Sequence, residues 1–149
     1  MSFNFLLAFH LICAVIWVGG MAFALMVLRP SMAILAPPDR LALHAQVFKR
    51  FFRIVWHVMP ILLLSGYIML FTIFGGFKGV GWPVHVMHTA GLLMAAVFIW
   101  IFFVPWAAMR RAMAANDQAT AVAALGRIRH LITVNLVIGL LTVALGTLN

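Results

Sequence analysis

Acidic side chains are almost missing from this chain. Asp39 and Asp117 are the only two carboxylate side chains in 149 residues, and both fall in expected loops. That scarcity excludes paired-carboxylate catalysis and a carboxylate proton relay within a membrane. It also removes the acidic ring on which a hard-cation channel depends. Cysteine is nearly absent as well. Cys13 stands alone in an apolar run, so there is no internal disulfide and no CxxC zinc pair, and it reads as a small buried hydrophobe. Neither a Ser-His-Asp set nor a Gly-rich phosphate loop is present. Charge of any sign is scarce, at 8% of residues, against about 25% in a soluble domain.

What fills the chain instead is apolar, 66% by composition. No water-soluble surface can be made from it, and its length is that of one domain, 1–149. Four apolar stretches are long enough to cross a bilayer, at about 3–28, 52–74, 84–109 and 129–148. The first is expected to stop at Arg29-Pro30 and the second at Gly75-Gly76. The start of the chain carries no basic leader and no small-residue cleavage site, so it reads as a retained first helix. Pro37-Pro38-Asp39-Arg40 opens the first long connection, and 41–50 reads as a short amphipathic helix within it. Asn116-Asp117 marks a break in the other long connection.

The net charge of +8 does not indicate nucleic acid, because the basic residues lie beside the apolar runs, as topology signals and anionic-lipid contacts do. Arg29, Arg40, Lys49, Arg50 and Arg53 sit in or beside one long connection. Arg110, Arg111, Arg127 and Arg129 sit in or beside the other, and Lys78 alone occupies the short loop. The positive-inside rule then puts both long connections in the cytoplasm. The expected fold is all-α: an integral membrane four-helix antiparallel bundle, N-out and C-out, in contact with lipid. Nothing in this pattern fixes or excludes a homo-oligomer.

Histidine carries the remaining chemistry. His10, His57, His85, His88 and His130 lie in or at the ends of apolar helices, where an ionisable group is costly and points to function. Entering from outside, His10 lies roughly 9 Å deep and His88 roughly 6 Å, at 1.5 Å per residue. They can share an outer layer, with His85 one turn away as the alternative ligand. His57 and His130 fall within about two turns of the cytoplasmic side and can share an inner layer. Two facing imidazoles are what grips a haem iron axially. The spacing therefore predicts one or two b haems, the layers roughly 15 Å apart in a core of about 30 Å. Arg53 and Arg129 could pair with inner propionates, though ordinary positive-inside anchoring is the commoner role. Trp17 and Met21, on the His10 face, could wall a porphyrin or simply pack. Gly19, Gly20, Gly66, Gly91 and Gly139 allow close approach of helices or macrocycle, and close helix packing is the commoner reason. Copper is the competing cofactor, since ten methionines and six histidines offer soft and borderline ligands.

The segment from His10 to Pro30, HLICAVIWVGGMAFALMVLRP, resembles the first helix of the copper-resistance protein D (CopD) domain family in its His, Trp-x-Gly-Gly and closing Arg-Pro. KRFFR at 49–53, Gly66, the run Arg127-Ile128-Arg129-His130, Asn135 and Gly139 look similar in the same order. The layout is also similar to HemJ-type protoporphyrinogen oxidases, small four-helix membrane proteins that bind haem b. That family has a lysine after a Trp-x-His motif at the start of its third helix. Here the region reads Trp82-Pro83-Val84-His85-Val86-Met87-His88, without lysine, so a histidine ligand at His88 is expected instead. The resemblance implies a multi-pass protein of a bacterial inner (cytoplasmic) membrane. Three functions follow as expectations: a haem b electron carrier with quinol as candidate donor, a copper transport or resistance protein, and a protoporphyrinogen oxidase. Whether the chain is a membrane oxidoreductase stays open at this point, as does a role within a larger redox complex.

Overall fold

The computed structural model describes residues 3–148, and its regular structure is helical throughout. α1 spans Phe3–Phe23. A π turn, Ala24–Leu28, carries it into the short α2, Arg29–Ser31, and a 3₁₀ turn at Met32–Ile34. Pro30 does not end the helical path as expected. A proline ring collides with the carbonyl four residues back, and widening the preceding turn to i→i+5 bonding relieves that collision; the Arg29 N–H bonds the Ala24 carbonyl across this turn.

α3 runs from Pro37 to Thr72, 36 residues without a break. The amphipathic segment and the second span are thus one helix, because nothing between Leu41 and Phe52 interrupts helical geometry. At 1.5 Å per residue it is roughly 54 Å long. That exceeds a hydrocarbon core of about 30 Å, so its polar start projects beyond the membrane. Pro37 and Pro38 occupy the first turn, where their missing N–H costs nothing. α4 is Trp82–Phe103 and α5 is Pro105–Ala114. The third stretch therefore breaks at Val104 (φ −109°, ψ −81°), where Pro105 cannot continue the α4 ladder. α6 spans Gln118–Leu145, starting well before the apolar run. Asp117 caps it, accepting from the Thr120 N–H at 3.0 Å. Asn116 takes the left-handed conformation (φ 54°) at the expected break, and Gly75 and Gly76 take positive φ in the short loop.

Four helical segments are long and apolar enough to span a membrane: Phe3–Ile34, Pro37–Thr72, Trp82–Ala114 and Gln118–Leu148. Their outward residues are apolar too. Val15, Met26, Leu64, Trp100 and Phe103 are all exposed. A surface of that kind is a liability in water and ordinary against lipid. The bundle has two unlike ends. Phe3, the short loop and Leu148 lie at the terminal end, and the long connections lie at the other.

Towards the connection end the interior is solid. Trp17, Met21, Phe48, Phe52, Phe98, Ile101, Trp106 and Met109 are buried in one cluster. Phe52 stacks on Phe48 (5.4 Å between centroids) and meets Trp106 and Phe98 edge-on at 5.6 and 5.8 Å. Offset and edge-to-face aromatic pairs of this kind add roughly 0.5–1.5 kcal/mol each beyond their burial.

Candidate functional site

α1 packs mainly on α3, and α4 on α6, whereas α3 and α4 meet sparsely. Between these pairs, at the terminal end, lies a cleft of about 890 Å³. Its mouth is formed by Phe3, Phe74, Trp82 and Leu148, and it reaches inward to Trp17, Val18, Leu62 and Met94. Phe3 to Val18 is a rise of roughly 22 Å along α1. Below that depth the aromatic core closes the bundle.

His10 and His88 both line this cleft, one from α1 and one from α4. His10 Nδ1 is 3.0 Å from Ser65 Oγ on α3, and the Ser65 hydroxyl donates to the Leu62 carbonyl at 2.9 Å. Gly66 lets the imidazole lie against α3, since a Cβ there would stand 3.2 Å from His10 Cε1. His88 is held edge-on to Tyr67 and Phe77, at 5.2 and 5.0 Å between centroids. Trp17, 2% exposed, forms part of the floor and packs edge-on to Phe98 at 6.3 Å. Met21 is buried in the core below and is not part of the cleft wall. Met69, Met87 and Met94 bring thioethers to the same space.

The other expected residues lie elsewhere. His85 is exposed and stacks on Phe77 (5.7 Å) rather than lining the cleft. His57 and His130 are exposed on the outside of the bundle, and neither borders the cleft. Helix geometry explains this departure from the expected inner layer. At about 100° per residue, a side chain two positions from a buried one faces nearly the opposite way. His57 stands two residues from both Val55 and Met59, and His130 two from both Ile128 and Ile132, all of which are buried. His57 Nδ1–H instead donates to its own helix, at the Arg53 carbonyl (2.7 Å). Arg53 is exposed and Arg129 half-buried, both far from the cleft towards the connection end.

Other residues of interest escape a reading by helical depth. Ser65 and Tyr67 flank Gly66 within an otherwise apolar run, a cluster whose polarity was the available signal. His44 is the most buried histidine, 4% exposed, and its Nδ1–H donates to the Arg40 carbonyl at 2.8 Å. Asn135 is 1% exposed. Its Nδ2 donates to the Met94 carbonyl at 3.2 Å, while its Oδ1 has no partner. Gly139, one turn further, sits where a Cβ would stand 2.9 Å from Val18 Cγ2 and 3.0 Å from Met94 Cε. Gly20 accommodates the Phe51 ring in the same manner, whereas Gly19 faces open space.

Among the described residues no three or more His, Cys, Asp or Glu side chains converge. The chemistry open to the cleft is therefore that of two imidazoles and nearby thioethers. The family described as Copper resistance protein D matches residues 45–148, over two thirds of the sequence. The chain belongs to this family. The CopD match includes His57, His85, His88, His130, Met87 and Met94, but begins downstream of His10, so the first-helix motif lies outside it. No curated protein and no solved structure matches the chain. Within this CopD chain, then, the cleft is assembled from the unmatched α1 on one side and matched helices on the others.

Proposed function

We propose that this protein handles copper at the membrane, taking Cu(I) as cargo into the cleft between His10 and His88, with Met87 and Met94 as thioether partners. The observation that carries this reading is that imidazoles from two different helices open onto one space that also holds methionines. Thioether and imidazole donors without carboxylates select a soft monovalent ion over hard divalent ones. Family membership supports the choice of metal. The strong basic bias of the long connections favours an orientation in which they are cytoplasmic and the cleft opens outward, both chain ends lying on the periplasmic side of a bacterial inner membrane.

Competition for Cu(I) against a chromophoric chelator, with the protein in detergent or nanodiscs, tests this reading. Wild type should show a saturable site. His10→Ala and His88→Ala should each weaken it by at least the roughly 10–100-fold that loss of a mere supporting group costs a metal site. Unchanged affinity in both variants would remove the cleft as the copper site.

One observation favours a second reading, haem b in the same place. The cleft, at about 890 Å³ with mainly apolar walls, is far roomier than an ion requires and falls in the range of cofactor pockets. His10 and His88 would then be the axial ligands, and the haem would supply one-electron redox chemistry, with quinol as a candidate donor. This reading is confined to one haem, because His57 and His130 point away from the core. A redox-sensitive Soret band in the purified protein would select it, and a colourless protein that binds Cu(I) would dismiss it.

A further inference from the structure

We propose that Ser65 is a positioning residue: it holds His10 with the proton on Nδ1 and thereby presents Nε2 to the cleft as a bare lone pair. The proposal rests on the copper reading only for what Nε2 then takes.

Ser65 Oγ and the neutral His10 ring have one hydrogen each to place. A serine hydroxyl has one hydrogen to give. Ser65 Oγ stands 2.9 Å from the Leu62 carbonyl and 3.0 Å from His10 Nδ1. A carbonyl has no hydrogen of its own, so the Leu62 contact is a hydrogen bond only if Ser65 donates it. That hydrogen spent, Ser65 meets the imidazole with a lone pair. The second contact is then a hydrogen bond only if Nδ1 carries the ring hydrogen. A neutral imidazole has a single N–H, so Nε2 is left as an acceptor, the form in which histidine binds a metal.

The reverse arrangement is worse on two counts. If Ser65 donated to Nδ1, two oxygen lone pairs would face each other at 2.9 Å beside Leu62. The ring hydrogen would also sit on Nε2, aimed into a mainly apolar space. Ser65 is 5% exposed, so bulk water is poorly placed to relieve either fault. A buried polar group left unpaired costs about 1–3 kcal/mol.

Packing fixes the ring as well as its proton. Leu62, Ser65 and Gly66 stand at i, i+3 and i+4, on one face of α3. The glycine admits the Nδ1–Cε1 edge of His10: its missing Cβ would stand 3.2 Å from Cε1 and 3.6 Å from Nδ1. Nε2, the next ring atom after Cε1, lies more than 4 Å from that position and so stands further from Gly66 than the Nδ1–Cε1 edge does. This is how an outer partner orients a metal-binding histidine and raises its basicity.

Nitrogen-15 NMR of histidine-labelled, metal-free protein tests the assignment directly, at about pH 8, above the ordinary histidine range. The His10 signals are identified by their loss in His10→Gln. Wild type should show the Nδ1–H tautomer. Ser65→Ala should lose that preference, and Ser65→Thr, which keeps the hydroxyl, should retain it. Cu(I) affinity should fall about 10–100-fold in Ser65→Ala and stay near wild type in Ser65→Thr. An Nε2–H tautomer in wild type overturns the proposal, as does full Cu(I) affinity in Ser65→Ala. A wild type that binds no Cu(I) removes the copper reading alone, and the tautomer measurement still decides the role of Ser65.

Discussion

At the scale of single residues, two histidines line the cleft and two equally conspicuous ones do not. His57→Ala and His130→Ala should leave Cu(I) affinity at the wild-type value in the chelator assay, because both rings are exposed and turned away from the core. Asn135 offers a prediction of opposite sign to intuition. Its Nδ2 bond to the Met94 carbonyl is worth about 0.6 kcal/mol by the average for interhelical bonds in a membrane protein. Its orphaned Oδ1 costs about 1–3 kcal/mol. Asn135→Leu, of similar size, should therefore leave thermal stability in detergent unchanged or raise it. A clear drop in melting temperature would mean that Oδ1 has a partner in the folded protein. Depth along the helices, with the i+7 spacing that puts Trp17 on the His10 face, singled out three residues that line the cleft, His10, His88 and Trp17. It failed for Ser65, because a serine in an apolar helix ordinarily satisfies itself on its own backbone, and a partner 55 residues away leaves no local trace.

At the scale of elements, the positions of the spans were legible and their ends were not. Apolar runs stop where polar residues begin, but helices stop only where the backbone is obstructed. Leu41 to Phe52 contains no such obstruction, and neither does Gln118 to Arg129, so α3 and α6 run on through polar sequence. The breaks sit just ahead of Pro37-Pro38, at the Gly75-Gly76 pair, at Pro105 and at Asn116. Gly76, at φ 93° and ψ −169°, occupies a region essentially closed to other residues. Gly76→Ala should cost on the order of 1–3 kcal/mol by that strain alone, since the added methyl would meet only the Phe71 ring, at 3.7 Å. Denaturant or thermal titration would show it. The Asp117 cap makes a pH-dependent contribution. Hydrogen bonds from Thr120 hold its carboxyl below the usual range. The stabilisation is therefore full above the ordinary carboxylate pKa and lost as pH falls through the depressed one. Protection of the Thr120 amide, taken relative to the intrinsic exchange rate at each pH, should fall on acidification in wild type and show no such step in Asp117→Asn.

At the scale of the whole molecule, the four spans and the lipid-facing apolar surface follow directly from composition, and the structure bears out an all-helical, multi-pass membrane protein. Its direction in the bilayer rests on the arginines and is open to measurement. Lys78→Cys should react with an impermeant maleimide added outside intact cells, and Arg111→Cys only after lysis. Cys13 is buried and should contribute little background. Labelling of Arg111→Cys in intact cells would invert the topology. The cleft was less legible than the spans. Its existence depends on the sparse meeting of α3 with α4 between the two helix pairs, which no residue pattern announces.

The aromatic packing beneath Trp17 gives that cleft the form of a blind alley. Whatever enters from the terminal end meets Phe98, Phe52 and Trp106 rather than a channel. On the copper reading, this conformation would receive and retain, and a guest would depart through the door it came in by. Passage to the far side would require those rings to swing apart together, so a bulky fluorophore or spin label beside Phe98 would report a shuttle by its motion and a reservoir by its stillness.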